Sequence, residues 1–274
     1  MFLGNLSTND FKTLPLGAGC PAFFCNPLAK AMFRVAGYHV QHDGADAVWL
    51  TTEPNRAEAL FKHLDRYLIS EAVEIEDVTR QYAMWHLVGD GAKDVFDGMP
   101  DLQPYQHFYQ SEVSIRACNP LGEAGYDLVF HRNLTDALGA KLKIPFADAA
   151  EYEQLRIEAG TPAYGQDWDE TRFVMEIGGA PAAVSYTKGC YLGQEPIVMS
   201  RDRAGHAPRV FVQLQVTSAA PGDKILAGTD DIGQVTSVSG NTALGYVRWK
   251  HREPGTVVVV NDQIATVRRV LSES

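Results

Sequence analysis

A chain of 274 residues, 45% hydrophobic and 21% charged, has room for two domains or one large core and lacks the composition of a disordered protein. Its formal charge of −10 argues against a surface built to coat nucleic acid, and no apolar run approaches the roughly 20 residues of a membrane helix. Cys20, Cys25, Cys118 and Cys190 are too few and too irregularly spaced for a secreted disulfide framework. Met1-Phe2-Leu3-Gly4 has no basic region ahead of an apolar stretch, so no signal peptide is expected and the expected compartment is the reducing cytoplasm.

The charge is uneven. From Tyr186 onward there are ten Lys and Arg against eight Asp and Glu, and before it 14 against 26. An anionic ligand or partner is therefore better accommodated by the later part.

Taken in order, residues 2–10 begin in mid-element and residues 14–19 form a loop. Residues 21–26, 31–42 and 47–52 are predicted strands, with Asp43-Gly44 as a turn. Glu53-Pro54 is expected to open a helix, with Pro at its first position and Ala57, Leu60, Phe61, Leu64 and Leu68 along one face. Residues 73–78 alternate as a strand with one wet face, and residues 81–88 follow as another. Residues 91–96 read as a short helix, and residues 105–117 and 125–130 as a further pair of strands. Strands interrupted by single helices predict an α+β region with antiparallel sheet.

Asp148 and Glu151 have the spacing of a capping box for a helix that ends at Gly160, with Pro162 beyond. Its expected apolar stripe is Ala149, Tyr152, Leu155 and Ala159. Glu158 lies beside the negative end of the helix dipole, a locally unfavourable place that points to a specific partner or to a frayed, exposed end. Asp167, Asp169 and Glu170 cluster around Trp168 in a loop without the pattern of a calcium site. From residue 210 to 270, about five short alternating strands separated by Pro, Gly and Asn turns predict a small antiparallel barrel or sandwich. The expected domains are 1–200, with two interleaved α+β subdomains, and 201–274.

The densest chemistry lies in Lys188-Gly189-Cys190-Tyr191-Leu192-Gly193-Gln194-Glu195. Two glycines imply a tightly folded backbone. Lys188, with Arg201, Arg203 and Arg209 further on, would raise the thiolate fraction of Cys190. That thiol is open to three readings: nucleophile, cluster ligand or redox-sensitive group. His206 is the nearest histidine in sequence, but nothing in its context makes it a catalytic base. Cys20 and Cys25 read as buried structural thiols, and no metal site is expected.

Lys188-Gly189-Cys190-Tyr191-x-Gly193-Gln194-Glu195 resembles the signature of the YgfZ-type folate-binding proteins, relatives of the glycine cleavage T-protein, or aminomethyltransferase. Phe2 to Asp10, Leu155-Arg156-Ile157-Glu158-Ala159-Gly160 with Gly165-x-Asp167, and the tail from Pro221 through Gly245-Tyr246-Val247 to Pro254-Gly255 are similar to further blocks of that superfamily. Together they cover nearly the whole chain. The resemblance implies two α+β domains and a C-terminal β-barrel arranged around a central tetrahydrofolate site. It implies that Glu158 hydrogen-bonds the pterin, with Asp167 and Arg209 as further cofactor contacts. Lys188 and Cys190 become the reactive or docking pair, held by Gly189, Tyr191, Gly193, Gln194 and Glu195.

Two departures separate the branches. The aminomethyltransferases carry an aspartate in the stretch that matches Asn26 to Met32, where this chain has no carboxylate, and they tend to have aspartate where Cys190 stands. An ammonium or a methyl group does not replace an anion that stabilises a developing iminium. The resemblance therefore implies a tetrahydrofolate-binding factor for iron–sulfur cluster assembly or repair, supporting iron–sulfur enzymes including those that modify tRNA. Its expected partners are folate and iron–sulfur proteins or their assembly factors, with no direct nucleic acid or membrane contact. The alternatives are a folate-dependent aminomethyltransferase and a binding module that uses no folate, so enzyme status is left open. Relatives also carry a strand and helix ahead of the Phe2 stretch, so either the start is misassigned or an uncovered edge is expected on the first sheet.

Overall fold

The computed structural model describes residues 2–89 and 91–272, without the side chains of Arg203 and Ala204. Three antiparallel units follow one another along the chain. The first is a sheet of β1 (Gly19–Cys25), β2 (Ala31–His42) and β3 (Ala45–Thr52), in that order. One face of β2 buries Phe33 and Val35 in a core that includes Leu60 and Leu64 of helix α1 (Ala57–Asp65). The opposite face presents Tyr38 towards the second sheet, where it meets His107 edge-on.

Helix α1 starts later than Pro54 predicts. Glu53 to Arg56 form a turn closed by Arg56 N–H to Glu53 O at 3.2 Å, with Asn55 at φ +62°. Residues 73–78 are not a strand. They run unpaired and mostly exposed between the sheets, because their alternation meets no partner strand.

The second sheet has the order β4-β7-β6-β5, built from β4 (Tyr82–Val88), β5 (His107–Gln110), β6 (Val113–Cys118) and β7 (Gly125–His131). The expected single strand at 105–117 is a hairpin, turned at Ser111 and Glu112 with φ +50° and +65°. Leu87, Ile115, Leu128 and Phe130 form its core with Leu138 of helix α2 (Thr135–Leu142).

Helix α3 (Ala149–Ala159) has the predicted ends. Asp148 accepts from the N–H groups of Ala150 and Glu151, Glu151 returns the bond, and Gly160 closes the helix at φ +82°. Its buried face differs from the prediction: Arg156 and Ile157 are sealed, whereas Tyr152 and Leu155 are 50% and 37% exposed. Ile157 packs with Phe211, Leu244 and Tyr246 of the barrel. Complete burial of such a side chain contributes roughly 1.5–3 kcal/mol.

Two short helices, α4 (Ala180–Ala183) and α5 (Gln194–Met199), precede a closed six-stranded barrel. Its strands are β8 (Arg209–Gln215), β9 (Lys224–Ala227), β10 (Asp230–Ser239), β11 (Thr242–Arg248), β12 (Val257–Val260) and β13 (Gln263–Val270). Closure removes the sheet edges, and a dry interior of Val, Ile and Leu fills it. Strand β9, which follows the Pro221-Gly222-Asp223 turn, is the one the sequence reading lacked.

The edge of β1 is covered in part. Ser7 bridges to Phe24, Thr8 N–H donates to Phe23 O at 2.9 Å, and the Thr8 hydroxyl oxygen accepts from Phe23 N–H at 2.8 Å. The expected bare edge is thus met by the Phe2 stretch itself. No helix among the described residues is long and apolar enough to cross a membrane.

Candidate functional site

The two sheets face each other across a cleft of about 350 Å³, closed on a third side by the loops after α3. Even-numbered residues of β2, Arg34, Ala36 and Tyr38, point into it, as do Thr51 of β3 and Asp127 of β7. Gly160, Pro162, Gly178 and Gly179 bring backbone to its wall. Its polar lining is specific: Arg34 donates to Glu53 Oε1 at 2.9 Å and to Pro162 O at 3.2 Å. Tyr38, Tyr105 and Pro120 supply flat and apolar surface. A cleft of this size with a few placed polar groups is what a small-molecule site requires.

Helix α3 leads to this cleft. Partial burial and the Glu53 carboxylate push the Tyr152 phenol above its ordinary value, so Tyr152 stands within the field of a cleft-lining group. Glu158 is exposed, and its carboxylate accepts one bond, from Gln154 at 2.9 Å. The unfavourable helix end is compensated through the backbone. Gln213 Nε2 and Arg269 Nη2 donate to Glu158 O at 2.9 and 2.8 Å, and Arg269 also reaches Ala159 O. The Glu158 side chain is left with acceptor capacity to spare.

Asp167 has none to spare. It accepts from Arg156 Nη1 and Ala163 N–H on one oxygen, both at 2.8 Å, and from Thr236 and Ser237 hydroxyls on the other. Those four bonds fill a carboxylate's acceptor sites, so Asp167 staples the loop to β10 and is not available to a cofactor. Arg156 is equally committed, to Glu153, Thr161 O, Asp167 and Ser237. Arg209 is exposed at the start of β8 opposite Arg248 and does not line the cleft. The arginine at the end of α3 is Arg269, which sequence order hides because β13 returns beside β8 only in the closed barrel.

The signature loop is separate from the cleft lining. Lys188 Nζ donates to the carbonyls of Gly4, Ser7 and Asn9 at 2.7, 2.6 and 3.0 Å. All three ammonium protons are thereby used, and burial lowers its pKa, with the nearby Asp10 opposing. Lys188 is thus a clamp on the N-terminal segment and has no ion pair with Glu195 among the described residues. Leu192 N–H donates to Asn5 O at 2.9 Å, and Cys25 Sγ donates to Leu192 O at 2.9 Å.

Tyr191 is buried beneath the Lys188 ammonium, 4.9 Å from ring centroid to Nζ. Gly193, at φ +79°, begins α5, and a Cβ there would lie 2.5 Å from Asn26 O. Gly189 has neither a positive φ nor a close neighbour, so only one of the two glycines is sterically required. Glu195 is exposed in the first turn of α5, and neither it nor the Gln194 side chain is hydrogen-bonded among the described residues. Cys190 is the one exposed cysteine of the four, all of them free. His206 stacks on Trp249 at 4.4 Å and is turned to its own barrel.

Residues 209–270 match the domain family described as CAF17, C-terminal beta-barrel domain. The chain is 27% identical, over 97% of its length, to a chloroplastic protein of Arabidopsis thaliana named "putative transferase", of which it spans 65%. It is 25% identical over 89% of its length to the aminomethyltransferase of Thermotoga maritima, spanning 70% of that protein. Its fold matches glycine cleavage system aminomethyltransferase T of Bartonella henselae with a TM-score of 0.82 at 21% identity, covering 98% of this chain and 82% of the other. The chain is thus similar over nearly its whole length to aminomethyltransferases, shares the fold of one, and ends in a barrel of the CAF17 C-terminal type.

The turn between β1 and β2 is closed by its own side chains. Asn26 Oδ1 accepts from Leu28 and Lys30 N–H at 2.9 and 3.0 Å, and Ala29 takes φ +59°. Lys30 donates to Thr171 O and lies 3.4 Å above the Phe173 ring. The segment Asn26 to Met32, which has no carboxylate, is closed here by a cation. The carboxylates that do line the cleft are Glu53 and Asp127.

Proposed function

We propose that this protein binds a reduced folate in the cleft between its two sheets and assists iron–sulfur cluster assembly or repair, as a YgfZ-like member of the superfamily. The observation that carries the reading is the contrast between cleft and turn. The cleft keeps the size and polar lining of a small-molecule site, while the Asn26 turn carries Lys30 in place of an anion. On this reading folate binding is kept without the anion that one-carbon transfer uses.

The residues present fit a folate. Tyr105 on the cleft wall offers an aromatic surface to a ring and Arg34 offers donors to carboxylates. Glu158, which lies two residues before the cleft-lining Gly160 and does not itself line the cleft, has spare acceptors for the N–H groups of a pterin that reaches past the wall. Cys190 is the docking or reactive element, presented by a loop that Lys188 holds in place from behind. Four free cysteines suit a reducing compartment such as the cytoplasm. Iron–sulfur proteins or their assembly factors, including those serving tRNA modification, are the proposed partners.

Calorimetry with tetrahydrofolate, paired with rescue of iron–sulfur enzyme activity in a deletion strain, tests the reading. Glu158→Ala is expected to weaken folate binding at least tenfold. Cys190→Ala is expected to bind folate normally and fail to rescue. Unchanged affinity in the first variant removes the pterin assignment, and full rescue by the second leaves the thiol without a role.

A folate-dependent transferase is the second reading, favoured by Asp127, a carboxylate on the cleft wall, and by the names of the relatives. Release of a one-carbon unit from a folate adduct, abolished by Asp127→Asn, would establish it.

A further inference from the structure

Three side chains on the cleft face of the second sheet have no part in the proposed binding of folate. His86 on β4 and Asp127 on β7 are directly opposed in register, and Cys118 on β6 lies diagonally from Asp127, two residues beyond its partner Arg116. Strand alternation puts all of them on one face. His86 Nδ1 is 2.9 Å from Asp127 Oδ1 and 3.7 Å from Cys118 Sγ, and the three donor atoms lie within 4.8 Å of one another. Cys118 and Asp127 line the cleft, so the cluster opens onto space that a solute reaches.

We propose that His86, Cys118 and Asp127 form a binding site for a zinc-class divalent cation on the wall of the cleft. Imidazole, thiolate and carboxylate form a donor set of borderline softness, which suits Zn²⁺ or Co²⁺ and not Mg²⁺ or Ca²⁺. Tetrahedral zinc with bonds of about 2.0–2.3 Å places its ligand atoms roughly 3.3–3.7 Å apart. The imidazole nitrogen stands 2.9 Å from the carboxylate and 3.7 Å from the thiol, the first below that range and the second at its upper edge, so coordination requires adjustment of the side chains. Three protein ligands leave the fourth position towards the cleft, as in sites where a metal holds water or an exchangeable ligand.

The surroundings fix the ligands. Gly125 seats the imidazole: a Cβ there would lie 3.0 Å from His86 Nε2 and 2.6 Å from Leu87 O. Arg116 shares the face and adds a positive charge, with its guanidinium stacked 4.6 Å from Tyr38 and 5.1 Å from Trp49. A thiolate and a carboxylate neutralise a divalent ion, leaving the guanidinium as the site's net charge. Burial, and then the Asp127 charge, push the Cys118 thiol above its ordinary value.

The site is independent of folate, and its test uses no folate. Chelator-treated protein in a thiol-free reductant is titrated with Co²⁺, following thiolate-to-cobalt absorption in the near ultraviolet, and Zn²⁺ is then added as competitor. One equivalent is expected to bind. Cys118→Ser is expected to lose the absorption band, Asp127→Asn and His86→Gln to bind at least tenfold more weakly, and Cys190→Ser to be unaffected. Protection of Cys118 from iodoacetamide by Zn²⁺, read by mass spectrometry on the unmutated chain, removes dependence on the folding of any variant. Absence of that protection, or a band that disappears in Cys190→Ser and persists in Cys118→Ser, overturns the proposal.

Discussion

Arg156 Nη1 and Asp167 Oδ2 stand 2.8 Å apart with both side chains sealed from solvent, joining α3 to the loop that closes the cleft. The same carboxylate holds Thr236 and Ser237 of the barrel, so one aspartate ties three parts of the molecule together. Neutralising the aspartate leaves Arg156 its ion pair with Glu153 but weakens four buried hydrogen bonds at once, at a cost of about 1–3 kcal/mol. Asp167→Asn is expected to lower stability by that order in urea unfolding. Its folate affinity at a temperature where it remains folded should stay near that of the parent. A large selective loss of affinity at unchanged stability would restore Asp167 to the ligand set.

Gly193 and Gly189 should behave differently although both punctuate the signature. Alanine at 193 brings Cβ to 2.5 Å from Asn26 O and 2.7 Å from Cys25 Sγ, at φ +79°. Overpacking and left-handed strain each cost about 1–3 kcal/mol. Gly193→Ala is therefore expected to unfold at markedly lower denaturant. Gly189→Ala meets open space and should fall within about 0.5 kcal/mol of the parent. Equal effects would mean that the loop is built differently.

Lys188 separates a structural role from an activating one. Its ammonium serves Gly4, Ser7 and Asn9 carbonyls, and it has no hydrogen bond to Cys190. Lys188→Met leaves those acceptors short of a donor, and one unsatisfied buried group costs about 1–3 kcal/mol. Faster hydrogen exchange is expected across residues 4–9, with the alkylation rate of Cys190 changed by less than a factor of two. A tenfold slower alkylation would show that the ammonium activates the thiol after all.

These contrasts mark what the sequence makes visible. The barrel strands, the capping box at Asp148 and Glu151, and the Gly160 stop are local patterns, and local patterns are read directly. The hairpin at Ser111 and Glu112 was hidden because neither residue advertises a positive φ. Residues 73–78 alternate as a strand does but have no neighbour to pair with, and pairing is not a local property.

Helix α3 shows the limit most clearly. Its apolar stripe faces outward beside the cleft, while its buried face carries Arg156, whose partners at 153, 167 and 237 come from three elements. Glu158 and the signature loop were found as residue types in the right order. The cleft walls from Arg34, Glu53 and Tyr38, and the His86–Cys118–Asp127 cluster, exist only through strand register.

Acid sensitivity is expected to come from buried histidines. His63 lies among Phe24, Phe33 and Tyr67, with Nε2 buried and unpartnered, and burial, followed by Arg66, lowers its pKa below 6.5. Burial does the same to His107, with Arg116 and His39 adding to the shift and the bond to His39 O opposing it. When the folded pKa lies below the unfolded one, the unfolded chain binds more protons between the two values, and stability rises with pH across that window. Stability should therefore be level above about pH 6.5 as far as these groups are concerned and fall as the pH drops below it. His63→Leu removes one titrating group and fills an aromatic pocket with apolar volume, and an unpartnered nitrogen is lost with it. The variant is expected to match or exceed the parent at pH 7.5 in thermal unfolding and to lose less between pH 6.5 and 5. A variant whose stability falls as steeply as the parent's over that interval would place the acid sensitivity elsewhere.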